Sequence, residues 1–167
     1  MSNTIKQNIR LEKFQESDFQ LYFDLVNNID VMQMITERTL SILEAQTEFS
    51  QLLSNNDLDE RLGSYKILDQ QTDSFVGLAK LELNSSDCSS AELGYMLLPE
   101  HWGKGIASQV AIDLIQKAKT HPNLEHIIAI IDPANIPSRK ILIKNGFYSQ
   151  EFKDFNGLDG EVLALNL

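Results

Sequence analysis

A single cysteine, Cys88, stands among 167 residues. One thiol cannot staple a chain to itself, so the fold must rest on its own core, and a reducing compartment is the natural setting. Basic residues are scarce as well. Fourteen Lys and Arg face 24 Asp and Glu, a formal net charge of −10. Such a chain has no general attraction for phosphate backbones or anionic bilayers, which argues against nucleic acid and membrane as partners and favours a cationic or neutral substrate. No apolar run approaches the roughly 20 residues of a membrane span. Residues 1–10 carry no apolar signal core, so the expected location is cytoplasmic. Linkers, repeats and low-complexity tracts are also missing. What remains is ordinary globular composition, 43% hydrophobic and 23% charged, expected to form one domain over 1–167.

The apolar pattern alternates between strand and helix periods, which indicates an α/β or α+β domain. A first strand is expected over 8–14, with Ile9, Leu11 and Phe14. Ser17 is expected to cap a helix over about 18–28, with Asp30 to Met34 continuing it after a break. Ser41-Ile42-Leu43-Glu44 is a capping-box sequence opening a helix that ends at Asn55-Asn56-Asp57. Strands are predicted over 64–68, 75–83 and 91–98, with 85–90 as a loop and Gly77 as a bulge or close approach. Ile106, Val110 and Leu114, with Ala107, Ala111 and Ile115, repeat every four residues and mark a helix over about 104–120. A strand over 126–131 follows. Asn135 then opens a helix with Pro137 near its start and Asn145-Gly146 at its end. Residues 147–155 and 161–167 can form a hairpin through Asn156-Gly157 and Asp159-Gly160. The order β–α–α–β–β–β–α–β–α–β–β implies a mixed, mostly antiparallel sheet with one parallel neighbour across the helix at 104–120.

The passage from strand to helix at Trp102-Gly103-Lys104-Gly105-Ile106-Ala107-Ser108 carries chemistry. A helix N-terminus presents about four amides without intrahelical partners and the positive end of its dipole. Gly103 and Gly105 lack a Cβ, so an anion can approach the backbone; Ala107 keeps the next position small, and Lys104 adds charge. The pattern is not a P-loop, which needs Gly-x-x-x-x-Gly-Lys-Ser/Thr. Nor is it a dinucleotide fingerprint, since Ser108 stands where a third glycine or alanine is needed. On spacing alone, a tight turn with no ligand stays open.

In order, Ile9-Arg10-Leu11, Ala91-Glu92-Leu93-Gly94-Tyr95-Met96-Leu97, Trp102-Gly103-Lys104-Gly105-Ile106-Ala107, Asn135-Ile136-Pro137-Ser138 and Lys144-Asn145-Gly146-Phe147 resemble the GNAT superfamily of N-acetyltransferases. The resemblance is greatest to the branch of ribosomal-protein N-terminal acetyltransferases, and covers about residues 8–165. It implies a mixed sheet splayed between strands 4 and 5 and flanked by helices, with acetyl-CoA as co-substrate. Backbone groups of Met96, Leu97 and Leu98, together with Asn135, would hold the pantetheine arm, and the amides of Gly103, Lys104, Gly105, Ile106, Ala107 and Ser108 the pyrophosphate. Many members place a proton-donating tyrosine in the last helix; the matching position here is Leu142.

Acetyl transfer to a primary amine needs a neutral amine, a polarised thioester and a proton for the departing sulfur. Glu92 is the candidate base, directly or through water, against the alternative of a solvated strand carboxylate. The Leu97 N–H is the candidate oxyanion donor. Ser138 is the candidate acid, as the branch resemblance suggests, against a helix-start serine that bonds only backbone. Tyr95 reads as a half-buried strand aromatic and Trp102 as a packing residue. Arg139, Lys140 and Lys144 are either nucleotide 3′-phosphate contacts or a solvated face. His121 and His126 lack metal-ligand spacing, so no metal is expected. The alternative function is a non-catalytic acyl-CoA-binding or regulatory module. The acceptor, and the choice between monomer and homodimer, are not legible.

Overall fold

The computed structural model describes residues 8–84 and 87–167, with the backbone alone at Asn84 and Asp87. Seven strands form one sheet in the order β1-β2-β3-β4-β5-β7-β6. They are β1 (Ile9–Lys13), β2 (Gly63–Asp69), β3 (Phe75–Asn84), β4 (Asp87–Leu97), β5 (His126–Ile131), β6 (Tyr148–Phe155) and β7 (Leu158–Asn166). Only β4 and β5 run parallel, across the helix α4 (Ile106–Thr120). The mixed, mostly antiparallel sheet flanked by helices is the one the pattern implied.

Alternation along each strand builds two cores. Leu81, Leu93, Ile127 and Leu163 face Val110 and Leu114 of α4 and Leu142 of α5 (Ile136–Lys144). On the opposite face, Leu78 packs with Phe14, Leu25, Phe49 and Leu52, under α1 (Phe19–Val26), α2 (Ile29–Met32) and α3 (Ile42–Asn56). Phe14, Tyr22 and Phe49 meet ring to ring there, at centroid distances of 5.3–6.4 Å.

Local chemistry sets most element ends. Ser41 Oγ accepts the Glu44 amide at 3.2 Å while Glu44 Oε1 accepts the Ser41 amide at 3.0 Å, the reciprocal box that the sequence spelled. Gly77 is a close approach: a Cβ there would stand 2.1 Å from the Met96 carbonyl oxygen. Asn156 and Gly157, at φ 55° and 90°, turn β6 into β7.

Several boundaries differ from the sequence expectation. The helix expected over 18–28 spans only Phe19–Val26, and Ser17 does not cap it: Ser17 lies inside the turn Glu16–Asp18, and Asp18 holds the N-cap position. The break expected before Asp30 is present, where the Asn28 side chain accepts the Asp30 and Val31 amides and starts α2. Residues 87–90 belong to β4 rather than a loop, since Ser90 pairs with His126; 85 and 86 lie outside the described residues. The helix expected from 104 begins at Ile106, because Gly105 is left-handed at φ 78°. Asp159-Gly160 is not a turn but part of β7, where Gly160 lies under the Phe155 ring.

Away from the sheet's centre, His121 ties α4 to the segment after α3. Its Nε2 lies 2.9 Å from Asp59 Oδ2, and its Nδ1 accepts the Asn123 amide at 3.2 Å, so Nε2 carries the proton that meets Asp59. Burial pushes the Asp59 pKa up, but His121 and the Arg61 and Leu62 amides outweigh that, and the net shift is downward.

Candidate active site at the parting of strands 4 and 5

The parallel pairing of β4 with β5 stops after Ser90–Glu92. Beyond that point β4 continues to Leu97 along β3, while β5 continues to Ile131 along β7. The two strands part, and a cavity of about 610 Å³ opens between them and runs through the sheet. Tyr95, Asn135, Ser138 and Leu142 line it on the side of α5. Tyr22, Glu48, Lys80, Glu82 and Glu92 line it on the side of α1 and α3.

Strand parity decides which backbone groups face the gap. Leu98 N–H donates to the Val76 carbonyl at 2.9 Å. Antiparallel pairs alternate between bonded and non-bonded, so Met96 also directs its polar groups to β3. Tyr95 and Leu97 therefore direct theirs into the gap. This corrects the expectation that Met96 and Leu98 offer backbone groups to a ligand there: β3 already uses them. Leu97 keeps that place through its N–H. Its carbonyl accepts Trp102 Nε1–H at 2.9 Å, so Trp102 does more than pack and ties the following loop to the gap.

That loop leads into the start of α4. Gly103 and Gly105 have φ of 73° and 78°, and a Cβ on either would meet nothing within 4 Å. No side chain caps α4 at Gly105. The first-turn amides of Ile106, Ala107 and Ser108 have no intrahelical acceptor by helix geometry. Gly103, Lys104 and Gly105 are exposed. Open backbone at a fifteen-residue helix N-terminus is a cradle suited to a pyrophosphate.

Across the gap, Asn135 caps α5, its Oδ1 accepting the Ser138 amide at 3.3 Å. This leaves the Asn135 NH2 as the donor a ligand would meet. Ser138 lies in the first turn of α5 and Leu142 is buried one turn on. Arg139, weighed as a phosphate contact, commits its Nε to Glu161 Oε1 at 3.0 Å.

The opposite wall is acidic. Glu92 Oε2 meets Lys80 Nζ at 3.3 Å. Lys80 lies over Gly94, where a Cβ would stand 2.9 Å from Lys80 Cε. Glu82 accepts the Ser64 hydroxyl at 2.9 Å, and Glu48 accepts the Tyr22 hydroxyl at 3.2 Å. Burial beside Glu48 drives the Tyr22 phenol well above its usual range. Among the described residues lining the cavity, Lys80 is the one cationic side chain, against Glu48, Glu82, Glu92, Asp132 and Asp159. Sequence reading found Glu92 but not its companions. Only the β3–β4 register, with Lys80 opposite Gly94 and Glu82 opposite Glu92, would have revealed two of them. No cluster of three His, Cys, Asp or Glu suited to a metal occurs among the described residues.

The sequence profile of the acetyltransferase (GNAT) domain matches residues 8–148. The chain belongs to the GNAT acetyltransferase family. This acetyltransferase is 24% identical to an uncharacterized N-acetyltransferase, p20, of Bacillus licheniformis over 98% of its own length and 92% of that protein's. Its fold is similar to that of a GNAT acetyltransferase from Bacillus anthracis, with a TM-score of 0.79, 18% identity and 96% of each chain covered. It is similar too to the spermidine N-acetyltransferase of Vibrio cholerae solved with CoA and spermine, with a TM-score of 0.75, 23% identity and 95% of each chain covered. GNAT acetyltransferases use acetyl-CoA, and the residues present are compatible with it: open space at Gly103 and Gly105 precedes α4, and the backbone of Tyr95 and Leu97 faces away from β3.

Proposed function

We propose that this acetyltransferase moves an acetyl group from acetyl-CoA to a primary amine on a cationic acceptor. The observation that carries the reading is the gap itself: backbone of Tyr95 and Leu97 faces it, the cradle at 103–108 lies at one end, and carboxylates line the far wall. Acetyl-CoA supplies the activated thioester. The amides of Gly103, Lys104, Gly105, Ile106, Ala107 and Ser108 hold its pyrophosphate, and Leu97 and Asn135 flank its pantetheine arm. The Leu97 N–H faces the thioester oxygen and stabilises the charge that develops there. Glu92 takes the proton from the amine, directly or through water; an alkyl ammonium, with a pKa of about 10.4, needs that help at neutral pH. Ser138 stands on the side of the leaving sulfur.

The acidic wall supports a positively charged acceptor. A polyamine is the acceptor class to test first, because the Vibrio cholerae enzyme of similar fold was solved with spermine. A protein N-terminus is the second reading, supported by the resemblance of the motifs at 91–97, 102–107 and 135–138 to the ribosomal-protein branch. The decisive measurement is thiol release from acetyl-CoA over a panel of polyamines and N-terminal peptides, with products read by mass spectrometry. Turnover with spermine or spermidine above the peptides supports the cationic small-molecule reading. Binding of CoA with no turnover on any amine would replace it with the acyl-CoA-binding module.

A further inference from the structure

One polar atom at the gap has no partner. The Tyr95 hydroxyl is buried and makes no hydrogen bond among the described residues. A buried, unpaired hydroxyl is costly, and such groups in folded proteins are normally satisfied by protein, water or ligand. Tyr95 lines the cavity from β4, on the α5 side, with Ser138 and Leu142. Its own backbone borders the gap that the acyl donor would occupy. The nearby Ser138 hydroxyl bears on the phenol's charge without forming a regular hydrogen bond to it.

The departing sulfur needs a proton, and the two candidates differ greatly as acids. An aliphatic hydroxyl is about as weak an acid as water, far weaker than a phenol, which titrates at about 10, or a thiol, at about 8.5. A serine beside a thiolate is therefore a poor donor, and a phenol is much closer in strength. Burial pushes the Tyr95 phenol above its ordinary value, with Ser138 pulling the other way, so the phenol carries its proton throughout the neutral range.

Resting on the acetyl-transfer reading above, we propose that Tyr95 is the catalytic acid of this enzyme, its buried hydroxyl giving its proton to the leaving sulfur, with Ser138 relaying a replacement from solvent. The carbon–sulfur bond breaks, the sulfur keeps the electron pair and takes the phenolic proton. The tyrosinate regains a proton from water through the Ser138 hydroxyl. The amine's proton leaves separately by way of Glu92. The net change is acetyl-CoA and amine to amide and free thiol.

Tyr95→Phe tests this with little risk to the fold, because the hydroxyl it removes has no protein partner; its melting temperature is expected to equal or exceed that of the native chain. With acetyl-CoA, kcat is expected to fall about 100-fold, in the usual range for a lost general acid, with KM for acetyl-CoA within about twofold. With the acetyl thioester of a nitrothiophenol, whose thiol leaves without a proton, the loss should shrink to a few-fold. Ser138→Ala should cost less than Tyr95→Phe. Binding supplies a readout independent of turnover. Near pH 9, where much free thiol is ionised, the native chain should bind CoA about tenfold more tightly than desulfo-CoA, the weight of one charge-assisted hydrogen bond, and Tyr95→Phe should not discriminate. Native kcat in Tyr95→Phe, an equal loss with both thioesters, or retained discrimination would overturn the assignment of Tyr95 while leaving acetyl transfer intact. Failure of the native chain to bind CoA at all would instead sink the acetyl-transfer reading on which this one stands.

Discussion

Glu92 and Gly105 show how single residues divide the work. Glu92 is about one-third exposed and paired with Lys80, so its carboxylate is available but not free. Glu92→Gln keeps the shape and removes the base. It is expected to lower kcat by about 100-fold or more in steady-state assays, with KM for acetyl-CoA near native. Gly105 has the opposite character. A Cβ there meets no atom within 4 Å, so Gly105→Ala is not excluded by packing; it is disfavoured by φ of 78°. The expected cost is about 1 kcal/mol in denaturant unfolding, with KM for acetyl-CoA raised because the added methyl stands where a phosphate would approach. An unchanged KM would mean that the anion does not sit over Gly105.

The short helix α5 is anchored unusually for an element that carries Asn135 at its cap and Ser138 in its first turn. Leu142 is the one buried residue of its nine. A second tether is Arg139, whose Nε meets Glu161, a fully buried carboxylate on β7 whose second oxygen has no partner among the described residues. Removing one partner of such a pair strands a buried charge, whereas replacing both by apolar residues is often neutral. Arg139→Ala is therefore expected to destabilise the fold by roughly 3 kcal/mol or more in urea unfolding, and Arg139→Met with Glu161→Leu to recover most of that. Equal stability of the single and double variants would show that Arg139 does not neutralise Glu161. The capping box of α3 is a smaller case. Arg38 first, and then the Ser41 amide, lower the Glu44 pKa to about 2, so this cap persists well into acid.

For the whole molecule, charge and its pH dependence matter most. With a net charge of −10 and an acidic cavity wall, KM for a cationic acceptor should rise as ionic strength increases toward about 0.15 M, where the screening length is about 8 Å, while kcat holds. A salt-independent KM would count against a charged acceptor. Asp59 sets part of the acid limb of stability. Its folded pKa lies below the unfolded value of about 3.9, so its contribution is complete above that pH and is lost as pH falls through the folded value. Asp59→Asn should flatten the melting-temperature profile below about pH 4, and an unaltered acid limb would place the sensitivity elsewhere.

The sequence by itself determined most elements, the capping box at Ser41, the close approach at Gly77, the turn at Asn156-Gly157 and the open glycine turn before α4. Each depends on side-chain period or on backbone freedom within a few residues, and such local preferences are written in the chain. Tertiary structure alone decided where β4 leaves β5, which of Met96, Leu97 and Leu98 faces the gap, and that Lys80 lies against Glu92. It also decided that the Tyr95 hydroxyl is buried beside Ser138, that His121 meets Asp59 across 62 positions, and that Glu161 holds Arg139. These facts depend on register and on contacts between distant segments. A one-residue shift in register turns every side chain to the other face, and no short window of sequence specifies it.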